Sequence, residues 1–396
     1  MNRKRRRTTR VLSGIGLTAA AVFAIVAVSM PAQAQEGVVR LADSPDSIKD
    51  SYIVVLKDRQ KTLTASALTS RYGGRTERTF DAAVNGYVAT MSDREARRLA
   101  ADKSVAYVQA NQRVKISQAP PSSGLDRIDQ RDLPLDYDFT VDSLAEDVTA
   151  FVIDTGVDAD HETFGGRVVG GFDAIDGDGD PDDLNGHGTH VAGTIGGREF
   201  GVAKGIKIVP VRVLDEDGDG STAGVIAGIE WMVNNLVGPS VANMSLGGPR
   251  DDALDEAVRG AIRAGVTFAV AAGNEAEDAG ETSPARVAEA ITVAASDADD
   301  NQAEFSNFGP AVDLYAPGVD IVSSFLDGET ATLSGTSMAT PHVTGAAALV
   351  LAADPQASPA RVQRELVRAA TRNRIQNTSP RTPNRLLFTS PPPRNF

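Results

Sequence analysis

A chain of 396 residues without a cysteine can form neither a disulfide-stapled miniature fold nor a thiol nucleophile, and it has room for a core of roughly 250 residues with a smaller unit beside it. Its net charge of -14 is unevenly spread: residues 35–118 carry fourteen basic and ten acidic side chains, residues 119–396 nineteen basic and forty-three acidic. So acidic a field repels nucleic-acid backbones, which excludes nucleic acid as a partner. It favours cations, and a salt-rich or calcium-rich setting and a merely solubilising surface fit it equally.

Residues 1–34 read as a secretory signal peptide. Arg3 to Arg7 form the basic region, Val11 to Met30 the apolar one, and Ala32-Gln33-Ala34 the small-residue cleavage site; the length of the apolar run leaves a retained anchor as the alternative. Residues 35–118 then predict a small α+β unit of βαββαβ type. Its parts are a strand at 51–56, a helix at 64–72, an alternating run at 83–89, a helix capped by Ser92 and Glu95, and a strand from Val105. Residues 117–124 form a linker. From 119 to 388 apolar strands and helices alternate: strands at 148–153, 207–213, 241–246, 266–271 and 290–295, helices near His187, at 222–236, 251–264 and after Ser337, and another at 357–370. Such alternation predicts an α/β domain whose central, largely parallel sheet is covered by helices on both faces, with the functional loops at the carboxyl ends of the strands. The Pro-rich end, 389–396, carries no packing pattern.

Three stretches carry chemistry. Val148 to Asp154 is an apolar strand ending in a carboxylate, a placement that is costly without a partner. Asn185-Gly186-His187-Gly188 puts an imidazole among glycines at a helix start. Ser334 to Val343 puts Ser337 in the first turn of an apolar helix, where backbone N–H groups can hold developing negative charge; an N-cap serine is the plain alternative. A serine hydroxyl needs a base, and His187 is the candidate. His190 reads as a packing or structural histidine, His342 lies off the face of Ser337, and His161 sits in a loop.

The order Asp154, His187, Ser337 is that of subtilisin, not of chymotrypsin or the α/β-hydrolases. The motifs D-T-G at 154–156, G-H-G-T-H-V-A-G at 186–193, V-A-N-M-S-L-G-G at 241–248, A-A-G-N at 271–274 and G-T-S-M-A-T-P-H-V at 335–343 resemble subtilisin-like serine endopeptidases, most of all the proteinase K branch, over most of residues 120–388. The resemblance implies a catalytic set of Asp154, His187 and Ser337, with Asn274 as oxyanion donor. It also implies a substrate site made by Ser245, Leu246, Gly247 and Gly248 facing Ala271, Ala272 and Gly273, with a broad preference for apolar or aromatic side chains before the cut. Residues 35–118 then resemble the family's propeptide, an intramolecular inhibitor that the enzyme cuts off, with Ala110 to Gln118 lying extended along Ser245 to Gly248. A non-catalytic binding protein on the same fold and a serine esterase are the rival readings.

No organic cofactor is implied. Calcium is: Asp176, Asp178, Asp180 and Asp182 crowd one loop, a second acidic run spans Asp215 to Gly220, and Pro284 and Asp297 resemble ligands of the proteinase K calcium site. Neither acidic loop has a glutamate at the twelfth position that an EF-hand requires. The expected product is a secreted, extracellular monomer that acts on polypeptides and has no stable membrane association once the signal is removed.

Overall fold

In the amino-terminal unit, strand alternation decides what touches what. The computed structural model describes residues 36–44, 47–57, 65–115, 124–135, 139–141 and 143–389; the signal segment, the expected cleavage boundary and residues 390–396 lie outside them. The order is β1 (Val39–Arg40), β2 (Ser47–Leu56), α1 (Ala65–Arg71), β3 (Arg75–Phe80), β4 (Gly86–Thr90), α2 (Asp93–Ala100) and β5 (Val105–Lys115), in a sheet ordered β1-β5-β2-β4-β3. Tyr52, Val54 and Leu56 point to one face and pack with Leu68 and Leu99 of the two helices. Ile53 and Val55 point to the other face and join the core of the larger unit. Both helices thus lie on one face, and the opposite face is an interface. Glu95 reaches back to the Ser92 N–H at 2.8 Å, fixing the start of α2.

The larger unit runs α3 (Leu125–Ile128), β6 (Thr149–Asp154), β7 (Phe172–Asp173), α4 (His187–Gly196), β8 (Lys207–Arg212), β9 (Asp219–Ser221), α5 (Thr222–Asn234), β10 (Ser240–Met244), β11 (Gly248–Pro249), α6 (Asp252–Arg263), β12 (Thr267–Ala271), β13 (Thr282–Ser283), β14 (Ile291–Ser296), β15 (Leu314–Pro317), β16 (Ile321–Ser324), β17 (Thr330–Leu333), α7 (Thr336–Ala353), α8 (Pro359–Ala369), β18 (Thr371–Arg372) and β19 (Arg385–Leu386). Nine strands form one sheet in the order β18-β19-β15-β14-β12-β10-β6-β8-β7. Every neighbouring pair is parallel except β18 with β19. Along β6, Ala150 and Val152 face a core built with α4, α7 and α8, while Phe151 and Ile153 face one built with α5 and α6. Helices on both faces explain why these strands read as continuous apolar runs.

The expected path of the module's end is corrected. As far as Lys115, β5 pairs antiparallel with β9, with Arg113 opposite Ser221 and Lys115 opposite Asp219, and not with Ser245 to Gly248. The acidic run read as a possible calcium loop is a turn tied by Asp215, which accepts from the N–H groups of Asp217 and Asp219. That turn presents an open strand edge, and β5 supplies its partner. Residues 116–118 lie outside the described residues.

Candidate active site

Parallel register brings the chemistry to one end of the sheet. Val152 of β6 stands opposite Asn243 of β10, so two residues on, Asp154 and Ser245 leave neighbouring strands at the same level. Ser245 donates its hydroxyl to the main-chain oxygen of Ser337 at 2.8 Å, and Ser337 Oγ donates to the Ser245 carbonyl at 3.1 Å. The nucleophile candidate, in the first turn of α7, is thereby fixed to the strand end beside Asp154. Behind it, Asn243 Nδ2 donates to Ser245 Oγ at 2.9 Å and Asn243 Oδ1 accepts from Thr344 of α7 at 2.8 Å. This buried chain was not read from the sequence.

Asp154 and His187 are both fully buried, and His187 Nδ1 donates to Asp154 Oδ1 at 2.7 Å. Burial pushes the imidazole toward its neutral form, but the charge and hydrogen bond of Asp154 outweigh it and hold the pKa above the ordinary 6.5. With Nδ1 donating, Nε2 is the acceptor nitrogen, and it is buried with no hydrogen-bond partner among the described residues. The glycines around His187 serve the protein's own packing: a Cβ on Gly188 would stand 2.1 Å from the Gly156 carbonyl oxygen, and one on Gly186, at φ 98°, 2.4 Å from the Phe325 ring.

The other histidines take structural roles. His190 bonds the Ile321 carbonyl at 3.0 Å and burial lowers its pKa to about 3. His342 donates from Nδ1 to the Met338 carbonyl at 2.9 Å and burial lowers it to about 4. His161 accepts from the Thr163 N–H and bonds the Glu329 carbonyl.

Asn274 follows β12. Its Oδ1 accepts from both the N–H and the hydroxyl of Thr336, each at 2.8 Å, which fixes the amide and leaves Nδ2 buried without a partner among the described residues. Beside it opens a cavity of about 330 Å³ lined by Ser245 to Pro249, Ala271 to Gly273, Thr282, Ser283 and Ser337, with Glu275, Glu277 and Glu281 also on its lining. All seven expected substrate-site residues line it. Glu275 is held by the Asn274 N–H and Asn307, and Glu281 pairs with Arg250 at 2.6 Å.

The comparisons agree with one another. The Subtilase family matches residues 146–386, and Peptidase inhibitor I9 matches residues 41–117. The chain belongs to the subtilase family. Relatives of this subtilase include the extracellular serine proteinase of Thermus sp. (strain Rt41A), 46% identical over 384 residues, 90% of this chain and 94% of the relative. Alkaline serine exoprotease A of Vibrio alginolyticus is 44% identical over 368 residues, 88% of this chain and 69% of the relative. The crystal structure of a cold-adapted subtilisin-like serine proteinase superposes with a TM-score of 0.67 at 52% identity, covering 68% of this chain and 99% of that one. The subtilase is a subtilisin-like serine endopeptidase with an I9-type propeptide.

Among the described residues, no group of three or more His, Asp or Glu side chains is arranged to hold a metal. Asp176 pairs with Arg212 at 2.8 Å and Asp178 accepts from the Asp180 N–H. Burial, with Asp158, Asp180 and Asp183 close by, raises the Asp182 carboxyl. Asp297 accepts from Asn301 and from the Asp299 N–H, and the Pro284 carbonyl accepts from the Val287 N–H. Nor is any helix among the described residues long and apolar enough to cross a membrane.

Proposed function

We propose that this subtilase, of the proteinase K branch, cuts polypeptides through Asp154, His187 and Ser337. Ser337 Oγ turns from the Ser245 carbonyl toward His187 Nε2, which takes its proton as the oxygen attacks the scissile carbonyl carbon. The carbonyl oxygen becomes an oxyanion, held by Asn274 Nδ2 and the Ser337 backbone N–H. The C–N bond then breaks, the amine leaves with the proton from His187, and water repeats the sequence on the acyl-enzyme to release acid and free serine. The observation that carries this reading is the buried Asp154–His187 pair, whose Nε2 has no hydrogen-bond partner among the described residues.

The apolar walls of the cavity beside Ser337 support a broad preference for apolar or aromatic side chains before the cut. The family of residues 41–117 and the buried face shared with α5 and α6 support a zymogen whose own first cut removes the module. The name of the extracellular Thermus relative supports secretion, as a monomer after loss of residues 1–34, and the resemblance of Pro284 and Asp297 to the proteinase K calcium ligands supports structural calcium. Exhaustive chelation should then lower its Tm, and an unchanged Tm would remove calcium from the account. A serine-directed phosphonate tests the catalytic reading: the mature enzyme should carry one adduct, on Ser337, and its absence would favour a non-catalytic binding protein.

A further inference from the structure

Asp183 directly follows the acidic loop of Asp176, Asp178, Asp180 and Asp182, yet it is buried, with 3% of its surface exposed. Five donors reach its carboxylate. Oδ1 accepts from the Thr155 hydroxyl at 2.8 Å and from the N–H groups of Asn185 and Gly186 at 3.0 and 2.8 Å. Oδ2 accepts from the Thr189 N–H at 2.8 Å and the Thr189 hydroxyl at 2.7 Å. Thr155 follows Asp154 directly, and its Oγ1 accepts in turn from the Gly188 N–H at 2.9 Å. The chain on both sides of His187 is therefore gathered onto one carboxylate, and that carboxylate is tied to the residue beside Asp154.

We propose that Asp183 is a positioning residue for the general base: it fixes the first turn of α4 against the end of β6 and places negative charge where the imidazolium forms during attack. Asp183 acts through His187 and touches no substrate. The inference rests on the assignment of His187 as the base. Five bonds to one buried carboxylate are far more than a helix start needs, since one or two donors satisfy an ordinary cap. Among the described residues no basic side chain pairs with Asp183, so its charge acts on the helix start and on the imidazole. The titratable groups acting on His187 are Asp154 from β6, whose effect is the larger, Asp183 from the loop before α4, and His190 one turn along the same helix, which burial keeps neutral at physiological pH.

The test is the pH dependence of kcat/KM for wild type, Asp183→Asn and Thr155→Val. Asp183→Asn should lower kcat at the pH plateau about tenfold, a loss of about 1.4 kcal/mol in transition-state stabilisation, with KM little changed. Removing the charge should also move the acid limb toward lower pH, because the imidazolium is then less favoured. Thr155→Val keeps the charge and should lower kcat with the limb unmoved. A limb at the wild-type position in Asp183→Asn would overturn the proposal, since a merely structural role predicts that result. Should Asp183→Asn fail to mature, a wild-type kcat in Thr155→Val would overturn it equally. His187→Ala reports separately on the base: activity surviving there would refute the catalytic assignment itself.

Discussion

Ser245 donates to the main-chain oxygen of Ser337 at 2.8 Å in the place left by Pro341. Four residues beyond Ser337 on α7, Pro341 has no N–H to complete the helical bond to that carbonyl. A residue that ordinarily weakens a helix here frees an acceptor, and the acceptor joins Ser337 to Ser245 at the end of β10. Ser245→Ala should therefore destabilise the enzyme by about 1–3 kcal/mol through an unpaired buried carbonyl. In Pro341→Ala, whose restored N–H can satisfy the same oxygen, the loss should shrink. A double-mutant cycle on Tm reads this coupling, and strict additivity would dismiss it.

Asn274 is fixed at its oxygen, and its nitrogen has no partner among the described residues. Asn274→Ala should lower kcat by about 10²–10³, some 3 kcal/mol of transition-state stabilisation, with little change in KM. Steady-state kinetics on a short peptide substrate decide it; a rise in KM at constant kcat would make Asn274 a ground-state contact.

The Asp154 carboxylate holds the imidazole of His187 above its ordinary 6.5 against the opposing effect of burial. Only neutral His187 can accept the serine proton, so activity should fall as pH falls through that raised value, and the acid limb of kcat/KM should lie above pH 6.5. Asp154→Asn removes the attraction. Its limb should move to lower pH while kcat drops by about 10⁴. An unmoved limb would assign the titration to another group.

How much of this was legible in the sequence depended on whether a residue's partner lay nearby in the chain. Asp154, His187 and Ser337 stand in local patterns of strand end, glycine-flanked helix start and apolar helix, and Asn274 stands just beyond the end of a strand. Asp183 was hidden in a run of like residues: five of its neighbours in sequence are carboxylates, and only the return of α4 onto the end of β6 separates it from them. Strand β9 and the docking of β5 on it were equally invisible, since an acidic turn shows no strand pattern and its edge gains meaning only when another segment arrives. The small strands β16 to β19 lack the length for a periodic signal.

Glu230 illustrates the same point at the propeptide interface. It lies in α5, 8% exposed, and its carboxylate accepts from the N–H groups of Asp81, Ala82 and Ala83 in the loop between β3 and β4. Charge-assisted bonds of this kind contribute about 1.5–3 kcal/mol each. Glu230→Ala should weaken inhibition of mature enzyme by added module at least tenfold while leaving hydrolysis of a short peptide unchanged. An inhibition constant equal to wild type would show that the apolar face alone carries the binding.

Three glutamates on the cavity lining give the pocket a charge sign. Substrates with Asp or Glu before the cut should be poor, and Glu277→Gln, which leaves the apolar walls intact, should relieve part of the penalty, more at low than at high salt. Equal rates for acidic and neutral residues at that position in a peptide panel would rule out the glutamates as a selectivity element.

As proposed above, Ser337 performs the chemistry, including the chain's own first cut. Intact mass and N-terminal sequencing of secreted Ser337→Ala, beside wild type in a host free of other proteases, test it most directly. Wild type should yield a mature chain starting between residues 117 and 123, while Ser337→Ala should accumulate as an uncut precursor of residues 35–396. A precursor cut at the same boundary despite the missing hydroxyl would contradict it.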